Sequence, residues 1–462
     1  VLSLCAALAA CGGAPEPLEE SPITIPQAFS GGGEVAAESQ WWRAFEDPAL
    51  DEAVDLALAG NLDLLAAWER VRAARAIVAR ESSARRPRVE ARADAGYERS
   101  TRTGDTWTAA AGLDASYEVD LWGRIDAAVD AERFRAEATR ADYEAATLGV
   151  AAEVALAWVR IGAAREQLAL VERQIERNLT AERMLEQRFA HGGNRAADVL
   201  RQQQLTSGSE EELEVVAARV QLLRHQLGAL LGRVPDGAPA GPDSLHALPP
   251  LPSTGVPASL IQRRPDVQRA LFELEAADRD TAAAAAAHLP RLSLGASIET
   301  GGLRADRIFR DWAASVAAGL LAPVFLGGEL NAELDRAEAE RTARWYAYGQ
   351  AILRALVEVE DALLQEARAA ARVERLVTRV ALASETHDRL LSEYANGVID
   401  YLAVLVAFED VQTLERELID ARLAHIEQRI ALYRALSGPV TTEGAEPEAS
   451  SPQRDETQEE ES

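Results

Sequence analysis

The chain of 462 residues holds two cysteines, Cys5 and Cys11, both within its first dozen positions. Everything after them is therefore closed to disulfide frameworks and thiolate metal centres. Lysine is absent, so all 48 basic residues are Arg; Met occurs once and aromatics make up 5% of the chain. The six histidines (His191, His225, His246, His288, His387 and His425) are scattered without metal-ligand spacing. No phosphate-cradling glycine loop or nucleophile motif accompanies them, so the residues offer neither a metal site nor an enzyme active centre. Basic charge is in short supply, the formal net charge being −27, and a nucleic-acid partner is excluded because neutralising phosphates needs a basic surface. Beyond residue 10 there is no run of 18 consecutive apolar residues, so no transmembrane helix is expected, and any crossing of lipid has to be made by strands.

What the chain does have is Ala, Leu, Glu and Arg in the proportions of long helices. Its start, residues 1–10, is an apolar run that reads as the end of a secretory signal. Leu8-Ala9-Ala10-Cys11-Gly12 resembles a bacterial lipobox. That resemblance implies cleavage before Cys11, loss of Cys5 with the signal, and a covalent lipid such as palmitate on Cys11, the alternative being an incidental Cys in a short apolar stretch. Residues 11–40 then form a lipidated linker, and residues 439–462 an acidic, disordered tail.

Between these ends the chain is written twice. Asn61-Leu62-Asp63-Leu64, a helical stretch and Arg86-Pro87-Arg88-Val89 are echoed by Arg264-Pro265-Asp266-Val267, a stretch of equal length and Leu289-Pro290-Arg291-Leu292. Leu121-Trp122-Gly123 answers Leu326-Gly327-Gly328, and Phe189-Ala190-His191-Gly192 answers Tyr394-Ala395-Asn396-Gly397. The repeats span residues 41–233 and 259–438, joined by a Pro/Gly-rich linker over 234–258.

Each repeat opens with a hairpin of alternating residues. Val89, Ala91, Ala93, Ala95 and Tyr97 share one face with Arg88, Glu90, Arg92 and Asp94 on the other, and this period of two predicts strands over about 88–99 and 106–121. The second repeat predicts strands over about 291–300 and 312–325. Small apolar side chains on one face, charge on the other and aromatics such as Trp107 and Tyr117 suit a membrane wall, although a soluble sandwich also alternates. Four strands cannot close a barrel, and open edges in lipid leave backbone groups unpaired, so a membrane wall here requires several copies.

Each hairpin leads into a stretch of about 65 residues without Pro, with Leu148, Ala151, Ala155, Trp158, Ile161, Leu168, Val171 and Ile175 stepping by threes and fours. That predicts a single helix of about 100 Å, packed as a coiled coil. Each long helix turns at a glycine, Gly192-Gly193 or Gly397, and returns as a shorter helix.

Trp41-Trp42-Arg43-Ala44-Phe45-Glu46-Asp47-Pro48, Tyr117-Glu118-Val119-Asp120-Leu121-Trp122-Gly123-Arg124, Arg263-Arg264-Pro265-Asp266 and Gly397-Val398-Ile399-Asp400-Tyr401-Leu402 together resemble the TolC-like outer-membrane efflux proteins, in particular their lipoprotein branch. The resemblance runs from Cys11 to about Gly438. It implies a mainly α fold with transmembrane β: a homotrimer whose four strands per chain close a 12-stranded outer-membrane β-barrel, continued by a long periplasmic α-helical barrel. It also implies a periplasmic adaptor and an inner-membrane pump as partners, outer-membrane lipid around the strands, no cofactor, and passive export of drugs, metals or other cargo. The adaptor would meet the tip turns Gly192, Gly193 and Gly397. A gate at the tip is implied in which Tyr394 bonds Asp198, with Arg195 and Asp400 as neighbouring charged candidates; the plainer alternative is that Asp198 caps its helix. Where many relatives carry acidic residues the chain has Ala403 and Val406, and a hydrophobic constriction that includes Leu402 and Leu405 is expected instead. The duct of a type I protein secretion system and a periplasmic coiled-coil adaptor are the competing readings. The duplicated hairpin and the lipid-type alternation speak against the adaptor.

Overall fold

A computed structural model describes residues 22–36, 39–102, 104–237, 239–302 and 312–440. The expected signal remnant, Cys11 and the tail from residue 441 lie outside the described residues. The chain divides into two compact units, each drawing on both sequence halves. Within the described residues, one comprises 22–24, Glu69–Asp142 and Asp266–Leu353; the other comprises Ile25–Trp68, Tyr143–Pro265 and 354–440.

Among the described residues there are six strands: β1 (Val35–Ala36), β2 (Arg88–Ser100), β3 (Gly104–Val119), β4 (Pro252–Ser253), β5 (Arg291–Gly302) and β6 (Trp312–Leu321). The helices are α1 (Pro48–Gly60), α2 (Leu62–Ser82), α3 (Arg124–Ala190), α4 (Ala196–Leu230), α5 (Pro257–Arg263), α6 (Pro265–Ala286), α7 (Glu329–Ala395) and α8 (Tyr401–Leu436). Both α3 and α7 have 67 residues, which at 1.5 Å per residue is about 100 Å.

In the first unit the four long strands form one antiparallel sheet in the order β2-β3-β5-β6. Register decides the chemistry of its faces. Ala91 stands opposite Leu113, Leu113 opposite Ile298, and Ile298 opposite Ala314, so that a row crosses all four strands on the apolar face. One residue along, Arg92, Gly112 and Glu299 line up on the other face. A slip by a single residue would exchange the two faces. The apolar face is open: Val316 is 88% exposed and Trp107 66%. Tyr97 and Trp107 are directly opposed, with ring centroids 4.8 Å apart.

All but β6 keep within two residues of the expected limits, β2 and β5 running on to Ser100 and Gly302. β3 starts and ends two residues early, because Asp120 leaves the ladder to accept the N–H of Asp126 in the first turn of α3 at 2.8 Å, and Gly123, at φ 73°, turns the chain. β6 stops at Leu321 instead of residue 325, since Pro323 has no N–H for a ladder. The helical part of this unit packs through Ala: Ala136, Ala138, Ala276, Ala277 and Ala337 are buried. Such close-set helices are tied by Arg–carboxylate pairs, among them Arg135–Asp280, Arg344–Glu273 at 2.8 Å and Arg269–Asp142 at 3.3 Å.

The second unit holds the main apolar core. A 3-10 turn over Trp41–Phe45 buries Trp41, Trp42 and Phe45, and Trp41 stacks on Tyr433 of α8 at 5.9 Å. Asp47 caps α1 by accepting the Ala49 N–H at 2.9 Å. The same carboxylate accepts the Trp158 indole N–H at 2.8 Å and pairs with His246 at 2.7 Å. Burial works to raise the Asp47 carboxyl, but the hydrogen bonds from Trp158 and Ala49 and the charge of His246 outweigh it and hold it below its usual range. In the Arg-Arg-Pro-Asp segment, Arg264 is buried and donates to the Ala435 carbonyl at 3.0 Å and to Glu358 at 2.6 Å. By length and composition α3 contains a window apolar enough to cross a bilayer, but 61% of it is buried inside the chain. Its Ala151, Val154, Ala155, Trp158 and Ile161 belong to the core, so this hydropathy is spent on packing.

Candidate gate at the helix tips

The two tip turns have the same construction. After α3 the N–H of Gly193 donates to the Arg188 carbonyl at 2.8 Å, and after α7 the N–H of Val398 donates to the Glu393 carbonyl at 3.0 Å. Gly192 at φ 75° and Gly397 at φ 74° take the left-handed position, which costs an L-side chain about 1–2 kcal/mol. A small apolar cluster lies behind the turns: Leu185 of α3 and Tyr394, Tyr401, Val404 and Leu405 of α7 and α8.

Tyr394 occupies the expected place but has a different partner within the chain. Its hydroxyl donates to Asn194 Oδ1 at 2.7 Å, its ring packs edge-on against Tyr401 at 5.3 Å, and the Arg188 guanidinium lies 4.8 Å above its centroid. Asp198 instead accepts the Arg195 N–H at 3.3 Å as the third residue of α4 and sits 3.9 Å from Arg201. Within the chain, then, the Tyr394 hydroxyl is brought to Asn194, and Asp198 is placed in the first turn of its own helix. Arg195 and Asp400 do approach each other, at 3.7 Å, but both are largely exposed, and such pairs contribute under about 1 kcal/mol. Tyr401 donates to Gln202 Oε1 at 2.7 Å. Burial raises its hydroxyl well above the usual phenol range, and the nearby Tyr394 and Asp198 add to the effect.

Of the expected constriction, Leu402 and Val406 are about half exposed on one face of α8, together with Ala403. Leu405 is 5% exposed and packs inward against Leu185 and Tyr401, since one step along a helix turns a side chain by 100°. Carboxylates are not missing from this face but displaced, Glu409 and Asp410 being exposed one turn further on.

Above the tip is a group the sequence reading passed over. Gln174, Asn178, Gln202 and Gln412 are all buried, as are Thr206 and Ser209. Asn178 of α3 donates to Ser209 Oγ of α4 at 2.8 Å and accepts from Gln412 of α8 at 2.7 Å. Its backbone carbonyl accepts from Gln202 at 3.1 Å. Gln174 donates to the Gln412 carbonyl at 3.1 Å and to Glu415 at 3.0 Å, and accepts from Arg416 at 2.7 Å. The signal was present as polar residues at positions where the three-and-four spacing calls for apolar ones.

Comparison with known proteins gives one consistent picture. A family described as outer membrane efflux protein matches residues 53–233 and 256–438, one match per sequence half. The chain is 30% identical over 455 residues to the pyoverdine export outer membrane protein OpmQ of Pseudomonas aeruginosa, covering 95% of this chain and 96% of that protein. It is 27% identical over 458 residues to the cation efflux system protein CusC of Escherichia coli, covering 95% and 99%. The crystal structure of the open state of the Neisseria gonorrhoeae MtrE outer membrane channel superposes with a TM-score of 0.83 at 25% identity, covering 93% of this chain and 98% of that one.

Proposed function

Because the chain belongs to the outer membrane efflux protein family, we propose that it is the outer-membrane exit duct of a tripartite efflux system, in which three copies together enclose a path for cargo handed on by a periplasmic adaptor and an inner-membrane pump. The observation that carries this reading is the sheet. Its four strands segregate apolar from charged residues by register, expose the apolar face, and end in β2 and β6 as free edges. In lipid each unpaired backbone group costs several kcal/mol. Edge must therefore meet edge, and a heterologous contact repeated around an axis closes a ring. Three chains supply twelve strands, an even number in the range of outer-membrane barrels. The charged face then lines a water-filled interior, and the α3–α4 and α7–α8 hairpins carry the gate.

Lipid attached to Cys11 would fix the start of each chain in the same membrane, adding about 0.8 kcal/mol per buried methylene. OpmQ and CusC are named for pyoverdine and cations; the cargo class of this chain follows from sensitivity profiles of a deletion strain. The test of the duct itself is direct. Outer-membrane fractions should yield detergent-solubilised trimers that conduct in planar bilayers, and a chain without acyl groups that stays monomeric and dissolved in the absence of detergent overturns the proposal.

A further inference from the structure

The first unit holds a cavity of about 880 Å³ between the start of α3, α6 and the start of α7. Ion pairs place α6 between the other two: Asp280 and Arg269 reach Arg135 and Asp142 of α3, and Glu273 reaches Arg344 of α7. The floor lies low because α6 presents mostly Ala there, among them Ala276, Ala283 and Ala284, continued by Ala287. Longer side chains of α3 and α7 stand on either side as walls. At the sheet end the rim carries Arg124 and Arg291. On β5, Arg291 falls on the same face as Glu299, and Arg124 donates at 2.7 Å to Glu118 on the charged face of β3. The cavity therefore opens on the charged side of the sheet.

Its cations are not all committed. The carboxylates that line it are each paired with an Arg, Asp280 with Arg135 and Glu273 with Arg269 and Arg344 among them. Arg291, by contrast, is exposed and has no carboxylate partner among the described residues. Arg336 pairs with Glu333 on its own helix, both largely exposed, and such a pair holds its guanidinium weakly. We propose that this cavity is a holding site for cargo that takes a small amphiphilic anion: its carboxylate, sulfonate or phosphate lies between Arg291, Arg336 and Arg124, and its apolar body lies along the Ala floor of α6. The inference rests on the duct reading above and names a cargo class for it. Guanidinium groups meet such anions with paired, charge-assisted hydrogen bonds, and the volume is that of a site for a drug-sized molecule. Beyond this point the charged face turns acidic, Glu90, Asp94, Asp114 and Glu299 outnumbering Arg88 and Arg92. An anion entering the barrel meets that repulsion, and a site with spare guanidinium at the foot of the sheet raises its local concentration first.

The test is isothermal titration calorimetry of the full-length trimer in phosphatidylcholine nanodiscs, with empty nanodiscs as the blank, beside conduction of the same preparation in planar bilayers. The probes are anilinonaphthalene sulfonate, phenylnaphthylamine as the body without the charge, and inorganic sulfate as the charge without the body. Wild type should bind one anilinonaphthalene sulfonate per chain, at least about tenfold more tightly than either of the others, since both contacts contribute. Arg291→Gln combined with Arg336→Gln should weaken that binding about tenfold or more. Ala284→Leu, which fills the floor, should weaken it with every Arg retained. Arg133→Gln, an exposed Arg of α3 outside the cavity, should leave it unchanged. Should Ala284→Leu fail to assemble, the double Arg variant, altered only at exposed side chains, still decides. Equal affinity for the three probes, or binding unchanged in the double Arg variant, overturns the holding site, and intact conduction then leaves the duct standing. Loss of the probe when phosphatidylglycerol replaces phosphatidylcholine makes the ligand a lipid headgroup and overturns the cargo assignment. A preparation that neither trimerises nor conducts overturns the duct reading, and the holding site with it.

Discussion

The segregation of the sheet into two faces is open to a paired substitution. Leu113 and Asp114 are neighbours on β3, about 5 and about 8 Å from the middle of the strand at 3.3 Å per residue. Leu113 stands between Ala91 and Ile298 on the apolar face, and Asp114 between Glu90 and Ser297 on the charged face. Arg at a lipid-facing midplane position of a barrel costs about 2–4 kcal/mol, and at a lumen-facing position close to nothing. Leu113→Arg recurs three times in a trimer, so the assembled cost is about 6–12 kcal/mol per particle, enough to exhaust a typical folding margin of about 5–15 kcal/mol. Asp114→Arg adds positive charge beside Glu90 and leaves the apolar row intact. The assay is the fraction of chain recovered as heat-modifiable trimer from outer-membrane fractions, followed by urea titration of trimers refolded into vesicles. Leu113→Arg should remove most of the trimer and Asp114→Arg should preserve it. Equal recovery of the two variants would refute the assignment of the faces, and so would a reversed order.

Two further outcomes follow from the tip and the core. Val406→Asp places a carboxylate ring on the exposed face of α8 one turn from Glu409; divalent cations should then block conductance at lower concentration than in wild type, and identical block in both proteins would exclude Val406 from the pore wall. The Asp47 carboxyl is held below its ordinary range in the folded state by the Trp158 and Ala49 hydrogen bonds and His246, which outweigh its burial, so its contribution to stability is complete above the ordinary carboxylate range and is lost as pH falls through the depressed value. Urea midpoints measured from pH 6 down to pH 2.5 should therefore fall on the acid limb in wild type and less steeply in Asp47→Asn, which should also be less stable at pH 6 because the cap and the Trp158 contact are weakened.

Much of the fold was legible because its signals are local. A period of two over Arg88–Ser100 can only be satisfied by a strand with two unlike faces, and 67 residues between helix-breaking glycines with apolar positions every three or four can only be one long helix. The turns were legible because Gly192 and Gly397 answer a backbone requirement that other residues meet at a cost. Side-chain partners at the tip were less so. Tyr394 reaches Asn194, a partner that no local spacing singles out, and Leu405 turns inward because helix phase, not composition, decides which of Leu402, Leu405 and Val406 faces out. Apolar content alone also misleads in α3, where a span long enough for a bilayer is core.

By itself, then, the sequence determined the elements, their duplication and the two-faced sheet, since periodicity and glycine placement act over a few residues at a time. Only the tertiary structure decided which buried amides meet. Asn178, Ser209 and Gln412 come from three helices and are far apart along the chain, and nothing in their local spacing says that one side chain will satisfy the other two. Whether a polar residue in a helix core is a defect or a joint depends on partners that packing alone supplies.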